Sequence, residues 1–238
     1  MDTLHIVSFS GGKDSTAMLL RMIELNMQVD EIIFCDTGVE FPQMYEHLDK
    51  VEKYIERPIT RLKREHSFEH MMLEHIVNTK KEHKNGYSFP GPVSRWCTAY
   101  FKRDHIKSYL RQIRKERQVI EYLGIAADEP KRIKDKRYPL VEWGWTEADC
   151  LKYCKEKGFD WGGLYDIFKR VSCWCCPLQS LDSCRKLRHN FPDLWATLLD
   201  WQHKTWKNFK GDYSVDALEA RFAEEEQFQQ IDLWEATS

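Results

Sequence analysis

An α/β protein built on a mainly parallel sheet, followed by a helical, cysteine-bearing C-terminal module, is the fold this sequence predicts. Three observations carry that expectation. Apolar runs of strand length alternate with amphipathic stretches of helix length through the first half of the chain. The first run breaks at a glycine-rich loop, and beyond Pro139 strand-like runs give way to tryptophans and cysteines.

Taken in order, Leu4–Phe9 reads as a buried strand that Ser10-Gly11-Gly12 breaks. Ala17, Met18, Leu19, Leu20, Met22 and Ile23 then fall at helix spacing, in a helix expected to begin at Ser15 or Thr16. Ile32–Cys35 is a second short strand, closed by the turn-prone Asp36-Thr37-Gly38, and Pro42 suits the first turn of a helix to about Ile55. Pro58–Leu62 is a weaker strand candidate, Ser67–Val77 reads as helix, Asn85–Pro92 as a surface loop or lid, and Val119–Ile125 as a β-rich run. Strands separated by helices need crossover connections, hence parallel pairing. Thr146, with Asp149 three residues on, has the form of a helix N-cap. The expected division is an α/β domain over residues 1–137 and a helical module over 138–238, with a soft boundary near Tyr138.

A chain of 238 residues can bury one full core with a small appended module. Its 42% hydrophobic and 31% charged residues exclude a disordered polymer. Lys and Arg total 36 against 38 for Asp and Glu, so the net charge of −2 selects no polyanionic partner. The charge is unevenly spread, however. Lys102–Arg117 carries seven basic residues against Asp104 and Glu116, Lys131–Arg137 carries five against Asp135, and Asp216–Glu235 is acidic. Such runs form solvated helix faces or phosphate-binding flanks. No apolar run approaches the ~18–20 residues that span a bilayer, and Met1–Phe9 lacks the basic start of a signal peptide. Eight cysteines in that setting point to a reducing, cytoplasmic compartment, with thiols or metal ligands before disulfides.

The loop Ser10-Gly11-Gly12-Lys13-Asp14-Ser15 carries the clearest chemistry. Glycines let backbone N–H groups close on an anion, and a helix N-terminus directly after adds a favourable dipole. Lys13 can neutralise phosphate charge, and Ser10 and Ser15 can donate hydrogen bonds. Asp14, unfavourable beside bare phosphate, suits a magnesium ion or a role in holding the loop. The spacing is not that of the Walker loop.

Ser8-Phe9-Ser10-Gly11-Gly12-Lys13-Asp14-Ser15 resembles the PP-loop of the adenine nucleotide α-hydrolase-like superfamily. Within it the chain resembles the phosphoadenosine phosphosulfate (PAPS) reductase family through further segments in the same order. These are Asp36-Thr37-Gly38-Val39-Glu40-Phe41-Pro42; Arg95-Trp96-Cys97-Thr98 with Lys102; Gly124, Asp128, Glu129 and Arg132; and Tyr138-Pro139-Leu140 with Trp143 and Trp145. The resemblance runs from Ser8 to about Cys184. It implies a doubly wound sheet with an adenine nucleotide at the strand C-termini. By that carry-over Ser8, Ser10, Gly11, Gly12, Lys13, Asp14 and Ser15 hold phosphate or pyrophosphate, with Lys13 and Asp14 catalytic. Asp36, Thr37, Gly38 and Gly124 line the site, and Arg132 reaches phosphate or sulfate. Ala126 stands where the family carries an arginine.

Cys173-Trp174-Cys175-Cys176-Pro177, followed by Cys184, is the densest thiol cluster, and its CxxC spacing lets two sulfurs face one ion or cluster. With Cys97 from the family-like segment, Cys97, Cys173, Cys176 and Cys184 form a candidate four-thiolate site, with Cys175 as an alternative ligand. Zinc and redox thiols are open readings, while related sulfonucleotide reductases and thiolation enzymes imply a [4Fe-4S] cluster. Cys35, Cys150 and Cys154 read as core thiols, and His66, His70 and His75 as a solvated face.

Three functions follow. The first is a PAPS reductase-like enzyme in sulfur metabolism or transfer, binding PAPS, adenosine phosphosulfate or ATP and drawing on a thioredoxin-like reductant. The family's reductases use a cysteine on a C-terminal tail, whereas Cys184 is the last cysteine here. The second is an ATP pyrophosphatase that adenylates a tRNA or DNA acceptor for thiolation. The third is a non-catalytic nucleotide-binding subunit. No membrane partner is expected, and an oligomer is compatible with the sequence.

Overall fold

The computed structural model describes residues 3–78, 83–134 and 136–237, with the side chains of Asn78, His83 and residues 229–237 outside that description. Asp135 of the second basic run, and the end of the acidic run, therefore lie outside the described side chains. The chain divides into two compact units. One combines residues 1–65 with 97–173, the other residues 66–96 with 174–238. The position near Tyr138 lies inside the first.

In the first unit, β1 (Thr3–Phe9), β2 (Glu31–Asp36), β3 (Thr60–Lys63) and β6 (Gln118–Leu123) form a four-stranded sheet in the order β3-β2-β1-β6. Every pairing is parallel, with Val7 opposite Ile32 and Tyr122. The helices are α1 (Lys13–Glu24), α2 (Pro42–Ile55), α4 (Asp104–Ile113), α5 (Pro139–Glu142), α6 (Glu147–Glu156) and α7 (Leu164–Ile167). Strand alternation sorts the core: Ile6, Ile33, Cys35 and Leu62 share a buried cluster with Leu110 of α4. Burying a side chain such as Leu110 stabilises by about 1.5–3 kcal/mol. Meanwhile α1 packs against β1 and α6. The strand order reverses between β1 and β6, the switch point at which open α/β sheets bind ligands.

In the second unit, α3 (Phe68–Leu73) precedes a hairpin of β4 (Ile76–Asn78) and β5 (His83–Asn85), and α8 (Leu181–Asn190), α9 (Pro192–Lys204) and α10 (Val215–Thr237) complete it. The helix expected over Ser67–Val77 thus stops at Leu73. The β-branched pair Ile76-Val77 goes into the antiparallel hairpin instead. Aromatic rings fill this core, with Phe68–Trp96 centroids 5.0 Å and Trp174–Trp201 centroids 5.1 Å apart. Part of the acidic run is engaged rather than solvated: Arg188 of α8 holds Glu219 and Glu226 of α10, and Arg185 holds Glu225. No described helix is long and apolar enough to cross a membrane.

Candidate nucleotide site

The glycine-rich loop links β1 to α1, and the helix begins at Lys13, two residues earlier than Ser15. Gly11 takes φ +76°, and a Cβ there would lie 2.6 Å from Met44 Sδ. Only glycine meets both conditions cheaply. Ser10 Oγ and Ser15 Oγ lie 2.9 Å apart, and Ser15 Oγ donates to Gly12 O at 3.0 Å, so the serines close the loop on itself. Beneath it Gly124, just past β6, approaches the start of α1 so closely that a Cβ would sit 2.6 Å from Ser15 Cα.

Side chains from far along the chain hold the loop. Trp161 Nε1–H donates to Gly11 O at 2.7 Å, and the Lys13 N–H donates to Tyr165 Oη at 2.9 Å. His47 bonds Thr16 through Nε2 at 3.0 Å and stacks on Trp161. Burial drives the His47 pKa down to about 3, with Lys50 adding to the effect, so the ring is neutral.

Carboxylates gather on the Lys13 side. Lys13 Nζ lies 2.6 Å from Glu147 Oε2 and 3.3 Å from Asp14 Oδ1. Burial opposes the Lys13 charge, but the Glu147 hydrogen bond and the Asp14 charge outweigh it, and its pKa is raised. The Asp14 pKa is also raised, first by burial and further by Glu147 and Glu129, against the pull of Lys13. Oxygens of Asp14, Glu129 and Glu147 all lie within 4.8 Å of one another. Asp14 Oδ1 is buried and, despite its ionic contact with Lys13, accepts no hydrogen bond. The thiol-free oxygen donor set and this orphaned atom fit a hard divalent cation. Glu147 is placed by the Thr146–Asp149 capping box at the start of α6, and its N–H donates to Asp128 Oδ1 at 3.1 Å.

Other candidate residues have partners of their own. Ser8 Oγ donates to Glu121 Oε1 at 2.9 Å within the sheet, and Arg132 grips Glu129 at 2.6 Å. Asp36 Oδ1 accepts from the Gly38 N–H and from Tyr45 Oη, both at 2.8 Å. Thr37 Oγ1 and the Cys173 thiol both donate to the buried Glu40, at 3.0 and 3.4 Å, and Lys102 Nζ lies 3.4 Å from the same oxygen.

The comparison that decides the family covers most of the chain: residues 4–179 match the phosphoadenosine phosphosulfate reductase domain. The chain belongs to the phosphoadenosine phosphosulfate reductase family. An uncharacterized protein of Methanocaldococcus jannaschii is 26% identical over 88% of this chain and 42% of its own length. A second from the same organism is 24% identical over 81% of this chain and 46% of its own length. An uncharacterized nin region protein of Escherichia phage lambda is 27% identical over 66% of this chain and 61% of its own. The chain thus spans about half the length of the archaeal relatives it matches. Among solved structures, phosphoadenylyl-sulfate reductase from Candida auris, a phosphate complex, has the same fold. Its TM-score is 0.50 at 18% identity, over 73% of this chain and 82% of that one.

The expected thiolate set divides between the units, Cys97 and Cys173 in the first, Cys176 and Cys184 in the second. Within either unit no three described thiols lie at ligand spacing of one another. Cys175 and Cys184 are buried, and burial raises the Cys184 thiol to about 11. Burial likewise raises Cys35 to about 11 and Cys150 to about 12, in keeping with inert core thiols. Sequence reasoning missed Glu147, His47, Trp161 and Tyr165. The capping signal at Thr146 was the one clue to Glu147. Nothing local marks the others.

Proposed function

We propose that the chain binds ATP with a divalent cation at Ser10–Ser15 and splits it between the α- and β-phosphorus. The convergence of Asp14, Glu129 and Glu147 beside Lys13 carries this reading, because three carboxylates repel a bare sulfonucleotide yet suit a cation that accompanies a triphosphate. The cation would supply charge neutralisation at the phosphates. An acceptor oxygen attacks the α-phosphorus, the bond to the bridging oxygen breaks, pyrophosphate leaves, and the acceptor proton passes to solvent. Lys13 and the loop N–H groups stabilise the leaving charge, and Trp161, Tyr165 and Gly124 fix the backbone that presents them. Asp36, Thr37 and Gly38 line the nucleotide site, and Arg132 reaches the nucleotide once it leaves Glu129.

Product analysis tests this reading. Incubation of the protein with ATP and magnesium, with and without tRNA or DNA, is expected to yield AMP-containing product and pyrophosphate in equal amounts. Release of orthophosphate and ADP, or no turnover with any acceptor, contradicts it.

A second reading, reduction of PAPS or adenosine phosphosulfate, is favoured by the family match and by the Candida auris reductase. It requires two electrons from a thioredoxin-like reductant and releases sulfite. Cys97, Cys173, Cys176 and Cys184, with Cys175 as alternative, are proposed as thiolate ligands of a [4Fe-4S] cluster or zinc, since thiolates select soft metals.

A further inference from the structure

Outside the nucleotide site, the first unit carries a groove of about 490 Å³ between α4 and the edge strand β6. Its rim is Arg103, Lys107, Arg111 and Arg114, with Lys136 opposite, and its floor is Ile106, Leu110 and Glu121. Five cations against one carboxylate leave a net charge of +4. The rim cations are all exposed, and among the described residues Lys107, Arg111 and Arg114 have no carboxylate partner. Arg103 is paired with exposed Asp104, and Lys136 covers the buried Glu121.

The spacing of these charges is regular. Arg103, Lys107 and Arg111 are four residues apart on one helical face, so they step by about 6 Å along the axis, and Arg114 follows about 4.5 Å on. Successive phosphates of one duplex strand advance about 3.4 Å along the axis but also wind around it, so neighbouring phosphates stand roughly twice that far apart and the row's step of about 6 Å matches successive phosphates of one strand. The groove holds no aromatic ring on which a base would stack, so the contact is to backbone rather than base. Glu121 on the floor and Gly124, just past β6 and under the nucleotide loop, are three residues apart, a distance of about 10 Å. A strand lying in the groove therefore passes close to the phosphate-cradling loop.

We propose that this groove binds the sugar–phosphate backbone of a nucleic acid. The proposal goes beyond the ATP reading and does not depend on turnover. Fluorescence anisotropy in 50 mM salt, without nucleotide, tests it with two labelled probes, a 20-base-pair DNA duplex and a tRNA transcript, which share the backbone chemistry. At least one is expected to bind, and the stronger names the source. The duplex affinity should fall with salt at a log–log slope of about −3 to −4, as for four contacted phosphates. The triple variant Lys107→Ala, Arg111→Ala, Arg114→Ala is expected to weaken binding at least tenfold and reduce the slope to about −1. Its residues are exposed, and an unchanged circular dichroism spectrum confirms that it is folded. A charge-matched control, Lys152→Ala, Lys155→Ala, Lys186→Ala, is expected to bind as wild type. Failure of both probes to bind, wild-type binding by the groove variant, or displacement of either probe by poly-glutamate at equal charge concentration overturns the proposal.

Discussion

Replacing Gly124 with alanine puts a Cβ 2.6 Å from Ser15 Cα and 2.7 Å from Ser15 N. Both are backbone atoms of the first turn of α1, so no side chain can swing aside. Restoring a 3.4 Å contact from 2.6 Å needs a displacement of about 0.8 Å between the end of β6 and the start of α1. Overpacking of this kind costs about 1–3 kcal/mol, and in a chain of this size each kcal/mol lowers Tm by about 2–4 °C. The displaced backbone is the one proposed to present its N–H groups to phosphate, where a shift near 1 Å costs up to about 100-fold in rate. Differential scanning calorimetry and nucleotide turnover measure the two effects together. Gly91→Ala is the control. A Cβ there meets nothing within 4 Å, and its expected change is below about 0.5 kcal/mol. A Gly124→Ala protein with the Tm and turnover of the wild type would refute the close-approach reasoning.

Lys13→Ala and Asp14→Ala are each expected to abolish nucleotide turnover while leaving the far-ultraviolet circular dichroism unchanged; retained turnover in either variant removes that residue from the site. Trp161→Phe removes the 2.7 Å donor to the Gly11 carbonyl, which keeps the Thr16 hydroxyl at 3.4 Å, and should lower stability by about 0.5–1.5 kcal/mol in urea unfolding. His47 titrates near 3 folded and near 6.5 unfolded, so the unfolded state binds the extra proton between those values. Stability is full above pH 6.5 and falls with acidification by up to about 1.4 kcal/mol per pH unit from this group, and the difference between wild type and His47→Asn across pH 7 to 5 should show that slope. Cys176→Ser and Cys173→Ser are expected to lose bound iron or zinc in anaerobically purified protein, and unchanged metal content would dismiss the thiolate assignment.

What the sequence made legible was local. The loop from Ser10 to Ser15 is contiguous, and its glycines, hydroxyls and lysine state their chemistry without a fold around them. Pro42 and Thr146 marked helix starts because proline and capping residues act within one turn. The rest depends on residues distant in the chain. Trp161 and Tyr165 reach Gly11 and Lys13 across 150 and 152 positions, and no periodicity announces such a contact. The joining of residues 66–96 with 174–238 into one unit is hidden for the same reason. The helix expected through Val77 gave way to a hairpin because strand pairing outweighed an apolar run whose spacing suits either state. The family itself was readable because its segments recur in order along the chain, and the family match spans residues 4–179, which contain those segments.

The proposed site holds a nucleotide with a divalent cation through Asp14, Glu129 and Glu147. Calorimetric titration with a non-hydrolysable ATP analogue, in magnesium and in chelator, measures this directly in the wild type and in Asp14→Asn. Magnesium is predicted to tighten binding to the wild type at least tenfold, equivalent to about 1.4 kcal/mol, and to add little to the variant. Equal affinity with and without magnesium, or a full magnesium effect in Asp14→Asn, would contradict the account.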